Sequence, residues 1–253
     1  RVTESRAVGA YRLLACADAD GPAPRPGQFY MLATAQRWGA GADERPHLPR
    51  AFSHLRARDG SLEFLLEDVG PGTHRLAEAQ PGEDLLLVGP LGAGFEVPGD
   101  GRRPLLVGGG IGIAPLACWQ DEVGAGTEVL AGFRDAAHAE GAGLLGAARV
   151  ATDDGSAGHH GLVTELLADE LSGDDAVIIY ACGPPPMLEA VRALAAERDV
   201  PAQLAMESGM ACGYGACFGC VVPTRAGYLR LCVDGPVLDA AALETAVAPG
   251  AGH

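Results

Sequence analysis

The chain has 253 residues, of which 48% are hydrophobic and 20% charged, a composition typical of packed globular protein with room for two domains and a small third one. Its formal net charge of −15 argues against a nucleic acid partner, since phosphate binding requires clustered Lys and Arg. No run of 18 apolar residues is present and no signal peptide is visible, so we expect no membrane association.

The first hundred residues contain short apolar runs separated by Gly and Pro clusters. Many short strands between turn signals predict an antiparallel barrel or sandwich. A polar stretch, Gln36–Pro49, is predicted to be a long loop. The predicted strands are Tyr11–Cys16, Gln28–Ala33, Ser61–Glu67 and Asp84–Val88, with another starting at Arg50 and a short helix over His74–Ala79.

From residue 101 onward, strands alternate with helices, which predicts an α/β domain with a doubly wound parallel sheet. Ligands of such sheets bind beyond the carboxyl ends of the strands. The predicted strands are Pro104–Val107, Glu128–Phe133, Ala148–Thr152 and Ala176–Cys182, and the predicted helices are Ile113–Val123, Val163–Glu170 and Met187–Arg198. A cysteine-rich segment begins at Pro201.

A glycine-rich turn, Gly108–Gly112, joins the first of these strands to its helix. A strand, a glycine-rich turn and a helix together form the geometry of a pyrophosphate site, because the backbone can approach phosphate and the helix N-terminus presents N–H groups. However, Pro115 stands where the third glycine of the dinucleotide-binding fingerprint would be. On its own, the turn is equally compatible with an ordinary tight strand–helix connection.

The cysteine-rich segment carries the most specific pattern of the chain. Its four cysteines are Cys212, Cys217, Cys220 and Cys232. The spacing Cys-x4-Cys-x2-Cys with a distant fourth Cys is that of plant-type [2Fe-2S] ligands, and the intervening glycines would let the loop fold around a cluster. A structural zinc site and a pair of disulfides are the alternatives, but zinc sites usually show two Cys-x2-Cys pairs.

The remaining cysteines and the histidines show no pattern of their own. Cys16, Cys118 and Cys182 are scattered, and a cluster together with free thiols predicts a cytoplasmic protein. The seven histidines show neither metal-ligand nor triad spacing, so we interpret them as surface residues or as core residues with hydrogen-bond partners.

Taken together, the motifs resemble the ferredoxin–NADP reductase superfamily over essentially the whole chain. They are Arg50-Ala51-Phe52-Ser53, Gly70-Pro71-Gly72-Thr73, Gly89–Phe95, Gly108–Pro115 and Cys182-Gly183-Pro184. Within that superfamily, the segments Thr152–Ser156, Gly158–Gly161, Met210–Cys217 and Cys232–Val237 are similar to the electron-transfer subunits of two-subunit, NAD-linked dihydroorotate dehydrogenases.

The resemblance implies an FAD-binding β-barrel over residues 1–100, an NAD-binding α/β domain over residues 101–200 and a small [2Fe-2S] module over residues 201–253. Arg50 would meet the FAD pyrophosphate and Ser53 would lie near the reactive edge of the flavin. The other implied cofactor-binding residues are Ala51, Phe52, Leu65, Leu66, Glu67, Gly72 and Thr73 for FAD, and Gly108, Gly109, Gly110, Gly112, Cys182, Gly183 and Pro184 for the nicotinamide nucleotide. Ala51 and His54 depart from the family, which more often has Pro and an apolar residue there.

The resemblance also implies a function. An FMN-bearing dihydroorotate dehydrogenase catalytic subunit would oxidise the substrate, and electrons would pass through the cluster and FAD of this chain to NAD⁺, in a heterotetramer with two copies of each subunit that serves pyrimidine biosynthesis. No catalytic residue is then expected on this chain. Arg134 could face the adenosine ribose, and NAD is favoured over NADP. The alternatives are a diaphorase subunit of another complex, of the NAD(P)H:ferredoxin oxidoreductase or sulfhydrogenase type, and a zinc-stabilised binding module.

Overall fold

The structure is a computed structural model that describes residues 1–36, 38, 48–97, 101–173 and 175–247. Its strands are β1 (Val2–Val8), β2 (Tyr11–Ala17), β3 (Phe29–Thr34), β4 (Arg50–Arg58), β5 (Ser61–Leu66), β6 (Leu85–Leu91), β7 (Arg103–Gly109), β8 (Val129–Phe133), β9 (Ala148–Thr152), β10 (His159–His160), β11 (Val177–Cys182), β12 (Ala202–Ala205), β13 (Val221–Thr224), β14 (Gly227–Arg230) and β15 (Val237–Asp239). Its α-helices are α1 (Pro71–Ala77), α2 (Ile113–Val123), α3 (Ala136–Ala139), α4 (Val163–Glu170) and α5 (Pro185–Glu197).

The first six strands form one antiparallel sheet in the order β1-β2-β5-β4-β3-β6. The sheet curls so that its two edges, β1 and β6, approach each other. This is shown by a hydrogen bond from the N–H of Val2 to the carbonyl of Glu83, just before β6, at 2.8 Å. Alternate side chains of these strands fill the interior, where the rings of Tyr30 and Phe64 pack edge to face with their centroids 5.7 Å apart. The predicted antiparallel barrel is therefore confirmed.

The second sheet has seven strands in the order β10-β9-β8-β7-β11-β12-β15. Its first six strands are parallel and only β15 is antiparallel. The parallel strands bring their carboxyl ends to one edge, which places Gly109, Phe133, Thr152 and Cys182 side by side. A doubly wound sheet therefore creates the expected ligand-binding edge.

The cysteine-rich segment is an excursion from this sheet. The chain leaves it after β12, forms the hairpin of β13 and β14, and returns as β15 to pair with β12. Two strands of the segment 201–253 thus belong to the nucleotide-domain sheet, while the domain boundaries given above stay predictions. Residues Thr245 and Ala246 are fixed to α5, since Glu189 accepts hydrogen bonds from the N–H of Ala246 at 2.6 Å and the hydroxyl of Thr245 at 3.1 Å.

An aromatic cluster joins the barrel to the second sheet. Phe95 follows the barrel strands, and its ring centroid lies 5.6 Å from those of both Trp119 on α2 and Tyr180 on β11. All three rings are buried, and each contributes roughly 1.5–3 kcal/mol of hydrophobic stabilisation. The hydroxyl of Tyr180 donates to the carbonyl of Glu96 at 2.8 Å. These contacts fix the position of the glycine-rich turn relative to the barrel.

Most predicted elements occur at their predicted positions, and α2, β9 and α4 have the predicted bounds. The first helix starts at Pro71 rather than His74, because Pro suits the first turn of a helix. Strand β1 was not predicted, since four of its seven residues are polar or charged. The predicted loop Gln36–Pro49, with His47, lies largely outside the described residues. Within the described part of the chain, no helix is long and apolar enough to cross a membrane.

Candidate functional site

Strand β4 carries the predicted flavin motif. Along this motif, the neighbouring strand is β3, and the register sets Ala51 opposite Met31 and Ser53 opposite Phe29. Because side chains alternate along a strand, Ala51 and Ser53 share one face of the barrel wall, whereas Arg50 and Phe52 share the other. Ala51 is exposed and Ser53 is half-buried, so this stretch of β4 remains accessible to a ligand.

Arg50 lies directly against the Gly72 turn. A Cβ atom on Gly72 would lie 2.4 Å from Nε of Arg50, so any side chain at this position would displace the guanidinium. The hydroxyl of Thr73 accepts hydrogen bonds from the N–H groups of Val69 at 2.9 Å and Gly70 at 3.0 Å, which fixes the turn. A guanidinium beside backbone N–H groups at the start of α1 is chemically suited to a phosphate group.

The predicted flavin residues Leu65, Leu66 and Glu67, at the end of β5, differ in their accessibility. Leu65 and Leu66 are buried in the core, so only their backbone could contact a cofactor. The side chain of Glu67 lies just beyond the strand, where it accepts a hydrogen bond from Nη2 of Arg134. The structure therefore brings a barrel residue to the nucleotide domain at this point.

The glycine-rich turn and the segment after β11 pack backbone against backbone. A Cβ atom on Gly112 would lie 2.3 Å from the carbonyl oxygen of Cys182, and one on Gly183 would lie 2.9 Å from the backbone nitrogen of Gly109. A Cβ atom on Gly109 would also meet Pro184 at 2.8 Å. Glycines are needed here for close packing, which assembles the two predicted nucleotide-binding segments into one surface.

The thiol of Cys182 is not a nucleophile. Burial raises the pKa of Cys182 to about 12, and the negative charge of Glu207 adds to this effect. The thiol therefore stays protonated at neutral pH and serves as a small apolar group beside the glycine turn.

A cavity of about 430 Å³ opens at the carboxyl ends of the parallel strands. It is lined by Tyr11, Glu67, Gly109, Gly110, Gly132, Phe133, Arg134, His138, Asp153, Leu162, Val163, Thr164, Pro184, Pro186, Met187 and Ala190. Tyr11 and Glu67 come from the barrel, so the cavity lies between the two domains. The hydroxyl of Tyr11 is buried without a hydrogen-bond partner, a sign that the cavity is built to receive a polar ligand.

Sequence reasoning missed Tyr11 and His138. Their rings pack edge to face with centroids 5.4 Å apart at the wall of the cavity. Tyr11 belongs to no motif and His138 has no ligand spacing, so only the three-dimensional contact reveals their place. Burial, followed by the negative charge of Glu67, raises the pKa of the Tyr11 phenol well above its usual value, so Tyr11 would be a hydrogen-bond donor to a ligand.

The cysteine loop presents sulfur to backbone N–H groups. Gly213 and Gly215 have φ angles of 80° and 89°, in the left-handed region where glycine is favoured. The pKa of the Cys212 thiol is lowered to about 6, mainly by a hydrogen bond from the N–H of Cys217 and further by hydrogen bonds from other N–H groups of the loop. A thiolate stabilised by N–H groups is the form that binds iron.

The four cysteines are arranged as two pairs. The thiol of Cys217 is close enough to contribute to the lowered pKa of Cys212, and the thiol of Cys220 to the raised pKa of Cys232. Among the described residues, no three His, Cys, Asp or Glu side chains converge on one point to hold a single metal ion. Two pairs of thiolates fit two irons, each of which would take one pair. The donor set and the loop therefore fit a [2Fe-2S] cluster.

The two pairs differ in their surroundings. Cys217 is exposed, whereas Cys220 and Cys232 lie in the hydrophobic core. Burial raises the pKa of Cys232 to about 12, and its contact with Cys220 adds to this effect. One side of the candidate cluster site thus faces the protein interior and the other faces the surface.

The cysteine loop packs onto the barrel beside the flavin motif. A Cβ atom on Gly213 would lie 2.5 Å from the side chain of Met31 and 3.3 Å from that of Leu91. Met31 lies directly opposite Ala51 in the sheet. The candidate cluster site and the candidate flavin strand are therefore separated by a single strand.

His54 departs from the family pattern and is a buried core residue. Its ring packs edge to face on Tyr30, and Nδ1 lies 3.3 Å from the carbonyl oxygen of Gln28. Burial lowers the pKa of His54 to about 4. The ring is therefore uncharged at neutral pH, and its place between barrel strands is structural.

We expect His54 to make the protein less stable in acid. Between pH 6.5 and 4 the unfolded chain binds a proton at this position that the folded chain does not, so stability falls as the pH falls through that window. At pH 5 the loss amounts to about 2 kcal/mol relative to pH 7.5. Denaturant unfolding at both pH values should show a smaller loss for His54→Leu than for the wild type. Equal losses in both proteins would contradict the assignment.

Known proteins are similar to this chain both in the cysteine-rich segment and over most of its length. Residues 207–244 match the family model of the iron–sulfur cluster binding domain of dihydroorotate dehydrogenase B. The chain is 40% identical over 230 residues to the dihydroorotate dehydrogenase B (NAD(+)) electron transfer subunit of Bacillus caldolyticus, covering 85% of each chain. It is 38% identical over 223 residues to the subunit of the same name from Caldanaerobacter subterraneus subsp. tengcongensis, covering 86% of each chain.

Solved structures show the same fold. The structure of an NADH-dependent reduced ferredoxin–NADP oxidoreductase matches with a TM-score of 0.80 at 23% identity, covering 96% of this chain and 89% of that one. A ferredoxin reductase of carbazole 1,9a-dioxygenase matches with a TM-score of 0.63 at 25% identity, covering 79% of this chain and 64% of that one. The predicted reductase fold is thus confirmed, and the identities to the curated relatives show that the chain belongs to the family of electron transfer subunits of dihydroorotate dehydrogenase B (NAD(+)).

Proposed function

We propose that this chain is an oxidoreductase subunit that passes electrons from a dihydroorotate-oxidising flavoprotein to NAD⁺, through a [2Fe-2S] cluster and FAD. The observation that carries the proposal is the convergence of three candidate sites. The cysteine loop packs on Met31, which lies opposite Ala51 of the flavin strand. The cavity of the glycine-rich turn is lined from the barrel side by Tyr11 and Glu67.

Each candidate site supplies the groups its cofactor requires. Bound FAD exchanges a hydride with nicotinamide and single electrons with an iron–sulfur cluster, so it can connect the two. Arg50 would hold the pyrophosphate of FAD, with Gly72 and Thr73 shaping the turn beside it. Gly109 and Gly110 would let the backbone approach the dinucleotide phosphates.

The protein contributes placement and exclusion of water rather than acid–base chemistry. The thiol of Cys182 and the ring of His54 are uncharged at neutral pH, because burial shifts both pKa values away from the neutral range. The protonated thiol of Cys182 is therefore not a base, and the ring of His54 is enclosed between barrel strands, where no substrate reaches it.

We further propose that the partner docks on the exposed side of the cysteine loop. Tyr214, Phe218 and Tyr228 are more than half exposed there, beside the exposed Cys217. Arg230 lies over the ring of Phe218, 5.3 Å from its centroid. Exposed aromatic residues and Arg are typical of the energetic centres of protein interfaces.

The names of the relatives imply a catalytic partner subunit. We propose that the partner is an FMN-bearing dihydroorotate dehydrogenase chain, that two copies of each subunit assemble, and that the complex serves pyrimidine biosynthesis in the cytoplasm. The free thiols of Cys16 and Cys118 support a reducing compartment. The pairing of the cluster cysteines and the reductase fold favour this function over a zinc-stabilised binding module.

The activity of the isolated chain tests the proposal. We expect the purified chain to oxidise NADH with an artificial dye but not to oxidise dihydroorotate, because its described residues offer no second flavin site with a substrate base. Adding the catalytic subunit should restore dihydroorotate-dependent reduction of NAD⁺. Dihydroorotate oxidation by the rigorously purified chain would refute the proposal. Restored activity together with a hydrogen-exchange footprint outside residues 210–235 would refute the docking surface alone.

A further inference from the structure

An arginine lies where this fold can recognise a phosphate on the adenosine ribose. In doubly wound nucleotide domains an Arg near the ribose accommodates the 2′-phosphate of NADP, whereas an acidic residue accepts the 2′-hydroxyl of NAD. Arg134 directly follows β8, the second strand of the unit that starts with β7 and the glycine-rich turn, and it lines the cavity. Nevertheless, the relatives are named for NAD(+). This contrast requires a feature that prevents Arg134 from selecting NADP.

The guanidinium of Arg134 is held from two sides. Its Nη2 group donates a hydrogen bond to Glu67, and Nε donates to Nε2 of His138 at 2.9 Å. The other ring nitrogen of His138, Nδ1, lies 2.7 Å from a carboxylate oxygen of Asp135. Nε2 of His138 also lies 3.3 Å from the same Glu67 oxygen, so Arg134, His138 and Glu67 form one contact cluster. Arg134 is therefore held by Glu67 and His138 at the rim of the cavity, where its side chain is 60% exposed.

The charge of the cavity wall is unfavourable for an additional phosphate. Among the described residues that line it, Arg134 is the only Lys or Arg, and the whole chain contains no lysine. Two carboxylates, Glu67 and Asp153, lie in the same lining. A 2′-phosphate would find its only cation already paired and would be repelled by both carboxylates. A ribose hydroxyl could instead donate a hydrogen bond to a carboxylate.

We propose that Glu67 determines the nucleotide specificity of the pocket: by pairing with Arg134, it keeps the cavity selective for the dinucleotide without a 2′-phosphate. The inference rests on the proposed function, because it takes the cavity as the NAD site. Glu67 belongs to the barrel and Arg134 to the nucleotide domain. Selectivity is thus imposed across the boundary between the two domains by a residue outside the nucleotide-binding fold itself.

The test compares NADPH with NADH in the full chain carrying its cofactors. Glu67→Gln should raise the ratio of kcat/KM for NADPH to kcat/KM for NADH by about tenfold, because it frees a cation for a charge-assisted phosphate contact. Each ratio is measured on one preparation, so that any change in flavin content cancels. Calorimetry should show a parallel rise in the affinity for 2′,5′-ADP relative to 5′-AMP. The gain should shrink at about 0.5 M salt, as expected for an electrostatic contact.

Two further variants make the test specific. Glu63→Gln removes the same charge from within β5, the strand that Glu67 directly follows, at a residue that does not line the cavity, and should leave both ratios unchanged. The double variant Glu67→Gln/Arg134→Ala should lose the gain. The inference is overturned if Glu67→Gln leaves both ratios within about twofold of wild type, or if the gain persists without Arg134. Failure of the wild type to oxidise NADH would overturn the proposed function, and the inference with it.

Discussion

Replacing Cys217 by serine is expected to abolish electron transfer between this chain and its partner while sparing the reaction with NADH. A hydroxyl cannot substitute for the thiolate that an iron requires, so iron and acid-labile sulfide should disappear. The fold should persist, because the Cys217 side chain is exposed and contacts only the N–H of Gly219, at 3.4 Å, and the neighbouring thiol of Cys212 among the described residues. Dihydroorotate-dependent reduction of NAD⁺ by the complex should fall by at least about 100-fold.

NADH oxidation with a dye should retain at least about half of its rate in the Cys217→Ser variant, since the flavin motif and the glycine-rich turn lie in other parts of the chain. Cys16→Ala provides the matched control. Cys16 is buried in the barrel core, and burial raises its pKa to about 11, so its loss should leave iron content unchanged. If a folded Cys217→Ser protein loses flavin and NADH oxidation together with the cluster, the modular assignment of the three sites is wrong.

Replacing Arg50 by alanine is expected to weaken FAD binding by roughly 10- to 150-fold, the equivalent of a charge-assisted contact of about 1.5–3 kcal/mol. The side chain packs against Gly72 at the start of α1, where N–H groups and a guanidinium can hold one phosphate between them. Flavin retained per chain after gel filtration measures the effect.

Arg58→Ala serves as the control for Arg50→Ala. Arg58 lies at the other end of the same strand, is largely exposed and pairs with Asp121 at the surface. Its loss should leave the flavin content unchanged, because an exposed ion pair contributes little to stability. Full flavin retention in Arg50→Ala would remove Arg50 from the binding site.

The sequence alone predicted the parts of the structure that depend on local patterns. Helices α2 and α4 have their predicted bounds, and α2 ends directly before Gly124, a residue typical of helix ends. The cysteine spacing predicted the cluster-binding domain, which the family model confirms. The glycines of the turn were predicted to let the backbone approach phosphate, which stays a prediction; the structure shows a different close approach, since a Cβ atom on Gly112 would meet the backbone of Cys182.

The remaining features depend on contacts between distant segments. No local pattern shows that β15 returns to pair with β12, or that Gly213 packs on Met31. The pairing of Glu67 with Arg134 joins residues from two domains, and Glu67 was assigned to the flavin site alone. Such contacts arise from the packing of the domains, and a single sequence carries no periodic signal for them.

Anaerobic titration of the purified chain with NADH, followed by visible absorption, shows whether this one chain connects a nicotinamide site, a flavin and a [2Fe-2S] cluster. We expect flavin and iron–sulfur bands in the oxidised protein, and bleaching of both on addition of NADH without any partner. A colourless protein, or a coloured one whose iron–sulfur bands remain unchanged when NADH bleaches the flavin, would contradict this expectation.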